Sequence, residues 1–149
     1  MATGRVKKEL KDLAKSPVEG ITITPSENDM FSWAAVLEGP KDTPYEGGKF
    51  NLTISFPPDY PFKPPKVKVL TKLYHVNVSD EGYICMDILA GSWTPALSIQ
   101  KVLISFLSFL MSPNPDHALN PDRAKVLREN PDEYYKTARD WVQKHAMEN

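Results

Sequence analysis

Two runs set the architecture: Ser32-Trp33-Ala34-Ala35-Val36-Leu37-Glu38-Gly39-Pro40-Lys41-Asp42 and, after it, Glu46-Gly47-Gly48-Lys49-Phe50-Asn51-Leu52-Thr53-Ile54-Ser55-Phe56. Each shows β-branched or aromatic alternation and is bounded by Gly, Pro, Asn or Asp, as in a half-buried strand. The connections are too short for a crossover helix, so the strands have to run antiparallel. Ile21-Thr22-Ile23-Thr24 and Lys66 to Leu70 read the same way. The spacing predicts a four-stranded antiparallel meander.

Helical patterns flank it. Val6, Leu10, Leu13 and Ala14 recur at helical spacing over residues 3–15, until Ser16-Pro17 ends the pattern. Ser98 caps a predicted helix from Ile99 to Met111, with Val102, Leu103, Phe106, Leu107 and Leu110 as its buried stripe and Ile104, Ser105 and Ser108 on another face. Asn120-Pro121 and Asn130-Pro131-Asp132-Glu133 are two further helix starts, with Asn at the cap and Pro at the first helical position; Glu133 completes a capping box. The last helix is expected to bury Tyr134, Ala138, Trp141 and Val142. The fold class is therefore α/β of the α+β kind: one domain over residues 1–149, with one helix before the sheet and three after it.

Two segments escape these periods. The five prolines from Pro57 to Pro65 forbid regular pairing and predict a stiff, extended loop that presents Tyr60 and Phe62. Thr71 to Leu97 shows no sustained period, and a long irregular stretch in a compact domain is commonly functional. It contains the only cysteine, Cys85, eight residues after Asn77.

Bulk properties exclude several classes. A net charge of -1 gives no field to gather nucleic acid or anionic lipid, although Arg5, Lys7, Lys8, Lys11 and Lys15 make the amino terminus locally basic. The longest apolar run, Val102 to Met111, is too short for a bilayer. One cysteine and three scattered histidines offer no metal-ligand spacing, so no metal is expected. Gly47-Gly48-Lys49 lacks the first glycine of a phosphate loop, because residue 43 is Thr43. A single cysteine and no secretory leader point to a reducing compartment, the cytoplasm with the nucleus also open to it.

From the residue alone Cys85 has two readings. A free cysteine is most often a small buried hydrophobe; it is also the side chain best suited to hold an acyl group as a thioester at neutral pH. Its neighbours favour the second. Tyr60-Pro61-Phe62-Lys63-Pro64-Pro65, Tyr74-His75-Val76-Asn77, Gly82-Tyr83-Ile84-Cys85-Met86-Asp87-Ile88-Leu89, Trp93-Thr94-Pro95-Ala96 and Pro113-Asn114-Pro115-Asp116 occur in that order. In these motifs the chain resembles the ubiquitin-conjugating enzymes, specifically the core-only class that works broadly with RING and HECT ligases.

The resemblance implies a shallow groove in which Cys85 receives ubiquitin from an activating enzyme and yields it to a lysine or a ligase cysteine. ATP is spent upstream, and no cofactor is expected. It implies Asn77 as an amide donor to the oxyanion, with a local turn role as the alternative, and Asp87, Asp116 and His117 as groups that orient or deprotonate the lysine. His117 stands where relatives carry an acid, and near the site it would make lysine discharge steeper between about pH 6 and 8. His75 reads as structural. Arg5, Pro61, Phe62, Lys63, Trp93, Pro95 and Ala96 match positions that dock the activating enzyme or a RING, U-box or HECT ligase, with partial burial over the core as the other reading of Trp93. Ile104, Ser105 and Ser108 match a face that supports the carried ubiquitin, and Thr22 a second ubiquitin site. A monomer acting on protein substrates, without nucleic acid or membrane, is the expected state. One departure stands out: the family's His-Pro-Asn reads His75-Val76-Asn77, and valine leaves the backbone freer than proline does.

Overall fold

The structure, a computed structural model, describes residues 2–84 and 91–147. Helix α1 (Ala2–Lys15) leads into strands β1 (Ile21–Pro25), β2 (Ser32–Glu38), β3 (Lys49–Ser55) and β4 (Lys66–Val69), which form one antiparallel sheet in the order β1-β2-β3-β4. Then come α2 (Ile99–Met111), a 3₁₀ turn (Pro115–His117), α3 (Pro121–Glu129) and α4 (Pro131–Trp141), which runs on into a π-type turn, Val142–Ala146. The meander, the leading helix and the three later helices are thus as the periodicity predicts, with strand ends shifted by a residue.

Alternation works through register. Leu37 faces Phe50, Ala35 faces Leu52 and Trp33 faces Ile54, while Leu52 and Ile54 face Val69 and Val67 on the other side. Directly opposed residues share a face, so one face of the sheet is apolar throughout. Val102, Leu103, Phe106 and Leu110 of α2, with Val6 and Leu13 of α1, join it in one buried cluster; Leu107 is only partly buried. The opposite face exposes Thr22, Ala34 and Asn51.

The helices carry three corrections. In α1 the inward stripe is Ala2, Val6, Glu9 and Leu13, spaced by four, three and four residues, while Leu10 is half-buried and Ala14 exposed. Following apolar residues alone misplaces that face, because a carboxylate occupies one of its positions. In α4 Tyr134 and Ala138 are buried but Trp141 only partly. Asn120 and Asn130 do cap α3 and α4 ahead of prolines. Glu133, however, receives the side-chain amide of Asn130, whose backbone N–H goes to Val126.

Glu9 is buried because donors surround it. It accepts from the backbone N–H of Ile99 at 2.7 Å, from Arg5 Nε at 2.6 Å and from the hydroxyl of Tyr60. Ile99 opens α2, so the carboxylate satisfies an N–H with no partner inside the helix and sits at the positive end of its dipole. Burial first, and then Glu9, push the Tyr60 phenol well above its ordinary range. This corrects the expected Pro-rich loop: Tyr60 is 1% exposed and Phe62 68%. The chain there folds into two turns, Tyr60 N–H to Pro57 and Phe62 N–H to Asp59, and is not extended. Replacing Glu9 with Ala leaves the Ile99 N–H and Tyr60 hydroxyl without their acceptor, so unfolding in urea is expected to show a loss of about 3 kcal/mol or more, and Glu9→Gln a smaller one.

Candidate functional site

From Leu73 to Asn77 the chain has left the sheet and runs buried without a strand partner, and side chains supply most of its hydrogen bonds. Arg123 of α3, 5% exposed, donates through one guanidinium nitrogen to the carbonyls of Leu73, His75 and Val78 and through the other to Asp80. The rings of Tyr74 and Trp141 lie 4.8 and 5.2 Å from its guanidinium carbon. Asn120, capping α3, fixes the backbone N–H of Arg123. One charge thus gathers three carbonyls of a segment that no ladder holds.

His75 is wholly buried with both ring nitrogens engaged. Nε2–H donates to the Phe109 carbonyl near the end of α2 at 2.6 Å, and Nδ1 accepts the backbone N–H of Asn77 at 2.9 Å. Burial, with a smaller contribution from Arg123, lowers its pKa to about 4, so the ring is neutral at pH 7. The structural reading of His75 agrees with this arrangement.

Asn77 is also wholly buried. Its amide donates to the carbonyls of Asn114 at 2.8 Å and His117 at 3.0 Å, while its oxygen accepts from Asn114 N–H at 2.9 Å. This side chain therefore bonds the 3₁₀ turn carrying Asp116 and His117 at both of its ends. Asp116 and His117 are exposed, and Asp116 pairs with Arg128 at 2.9 Å. Asn77, Asp116 and His117 are brought together; Cys85 and Asp87 lie outside the described residues.

The last residue described before the cysteine is well placed. Ile84 pairs with Val78, the neighbour of Asn77, and Tyr83 pairs with Lys68 of β4. Gly82 makes this approach feasible: its φ is +96°, and a Cβ there would lie 2.0 Å from the carbonyl oxygen of Val69. Its own carbonyl accepts the Val69 N–H at 2.9 Å.

The proposed docking positions converge at the Glu9 end of the molecule. Arg5 donates to the carbonyls of Pro95 and Leu97 at 2.8 and 2.7 Å, and Trp93 Nε1–H to the carbonyl of Pro61 at 2.8 Å. Phe62, Lys63, Pro95 and Ala96 are exposed, with Trp93 half-buried against Tyr60. On α2, Ile104 and Ser108 are exposed and Ser105 half-buried; Thr22 is exposed on the sheet. Glu9, Arg123 and Tyr134 are the structural residues that sequence reasoning missed or gave no such part. Their partners lie tens of residues away, so no local spacing marks them.

Among the described residues no group of His, Cys, Asp and Glu can hold a metal ion, and no helix is long and apolar enough to cross a membrane. Residues 5–142 match the family described as ubiquitin-conjugating enzyme.

The His75 arrangement has a measurable pH signature. Protonating the ring costs its bond from Asn77 and its burial, whereas the unfolded chain protonates near the ordinary value of about 6.5. The folded value is the lower one, so stability is full above about pH 6.5 and is lost as pH falls toward 4, by about 2 kcal/mol at pH 5. Urea unfolding at pH 7.5 and 5 is expected to show this loss in the parent and a markedly smaller one in His75→Gln.

Proposed function

Because the chain belongs to the ubiquitin-conjugating enzyme family, we propose that Cys85 accepts the carboxyl terminus of ubiquitin as a thioester and that the chain passes it to a substrate lysine or a ligase cysteine. The pairing of Ile84 with Val78 is the observation that carries this reading. It holds the residue covalently preceding Cys85 against the neighbour of Asn77.

In the first step the Cys85 thiolate attacks the thioester carbonyl on the activating enzyme, and that enzyme's thiolate leaves. In the second a lysine amine attacks the new thioester; the C–N bond forms, the C–S bond breaks, and its electron pair returns to the Cys85 sulfur. The amine loses its proton to solvent, assisted by Asp87, Asp116 or His117, which also help desolvate and orient it. Asn77 stabilises the intermediate oxyanion by exchanging one of its two loop carbonyls for the new negative charge, a gain smaller than the roughly 2.7–4 kcal/mol of a donor that gives up no bond. His75 takes no part as a base, since both of its nitrogens are already bonded. This speaks against a cysteine hydrolase built on that histidine.

The surface of Arg5, Pro61, Phe62, Lys63, Trp93, Pro95 and Ala96 docks the activating enzyme and the ligase, Ile104, Ser105 and Ser108 support the carried ubiquitin, and Thr22 meets a second one. A ligand-sized cavity is unnecessary when donor and acceptors are proteins.

Incubation with activating enzyme, ATP and ubiquitin is expected to yield an adduct of one ubiquitin that a thiol reductant removes, and Cys85→Ser an adduct that resists it. No adduct supports a binding module; cleavage of a test conjugate supports a hydrolase. Phe62→Ala, at an exposed position, is expected to leave the melting temperature unchanged and to weaken RING-ligase binding about tenfold or more, measured by titration.

A further inference from the structure

Val76 separates the two buried polar residues of the site and is itself fully buried, packed with Ala124 and Tyr134. Both of its peptide groups are anchored by other elements. Its N–H donates to the hydroxyl of Tyr134 on α4 at 2.9 Å, and its carbonyl accepts from Leu119 N–H at 3.1 Å, in the loop that follows the 3₁₀ turn. No strand pairing reaches this residue; the nearest bridge is at Val78.

The 75–76 peptide is held from both sides, its carbonyl by Arg123 and the Val78 N–H and its N–H by Tyr134 alone. Rotation there swings the His75 carbonyl and Asn77 together, because Asn77 N–H is bonded to the His75 ring and its side chain is registered to two loop carbonyls. A valine leaves φ free to turn; proline would hold it near −65° and has no N–H to satisfy. The Tyr134 hydroxyl thus performs by hydrogen bonding what a proline ring performs covalently. We propose that Tyr134 is a positioning residue for lysine transfer, acting through the Val76 N–H on Asn77. This rests on the acyl-transfer reading above.

The distinguishing feature is the bond to the Val76 N–H, which a proline at 76 removes while the hydrogen bond between the Tyr134 and Tyr45 hydroxyls stays. Tyr134→Phe keeps the ring, with its packing on Tyr74 and Tyr135 at 5.2 and 5.4 Å, and removes one oxygen. Single-turnover discharge of the ubiquitin thioester to free lysine is expected to slow about tenfold in Tyr134→Phe, with charging by the activating enzyme as the internal reference, since a misplacement of 1 Å can cost about a hundredfold. In the double variant Val76→Pro/Tyr134→Phe, discharge is expected within about twofold of Val76→Pro alone. Hydrogen exchange gives a reading that does not depend on the proline variants folding: the Val76 amide is expected to be protected in the parent and to lose protection in Tyr134→Phe. Discharge at the parent rate in Tyr134→Phe, or an equal slowing in the proline background, overturns the proposal. Absence of any thioester on the parent protein overturns the acyl-transfer reading instead.

Discussion

Backbone that crosses a core without a ladder partner leaves N–H and C=O groups that must be met by side chains, at a cost of about 1–3 kcal/mol for each one left unmet. From Leu73 to Val78 this constraint governs everything nearby. Arg123 collects three carbonyls, Tyr45 donates to the carbonyl of Tyr74 at 2.6 Å, His75 and Asn77 bond each other, and Tyr134 takes the N–H of Val76. The segment avoids regular structure and still has one conformation. Groups carried on irregular chain are thereby placed in advance of any binding partner.

The opposite end of the molecule solves a related problem with one carboxylate. Glu9 joins α1, the Pro-rich turns and the start of α2, while Arg5 beside it holds two carbonyls of the loop before α2. The exposed rings and prolines at that end therefore stand on a bonded base. A rigid apolar surface binds with little ordering cost, which suits brief encounters with several large partners.

The sequence made the periodic parts readable. Alternation located all four strands, and the Asn-Pro pairs located α3 and α4, because both signals are local and repeat along the chain. It also supplied the motifs that contain Asn77 and Asp116, with His117 next to the second. What it hid was the part played by polar residues on buried faces. Glu9 reads as one more charge on a basic helix, Tyr60 as an exposed knob and Arg123 carries no local signal, and each acquires its meaning from a partner at least 43 residues away, as in the bond from Arg123 to Asp80. Such long-range bonds leave no periodic trace. The departure at Val76 was visible, but its remedy, a hydroxyl 58 residues further on, was not.

Asn130 closes α3 and opens α4 at once, giving its N–H to Val126 and accepting the N–H of Glu133 with its side chain. A joint of one residue has no slack. An insertion there would turn Tyr134 by about 100° about the axis of α4, carrying its hydroxyl away from Val76. Length variation that surface loops ordinarily absorb is closed to this elbow, because the helix it opens is tied to a buried peptide 58 residues before Tyr134.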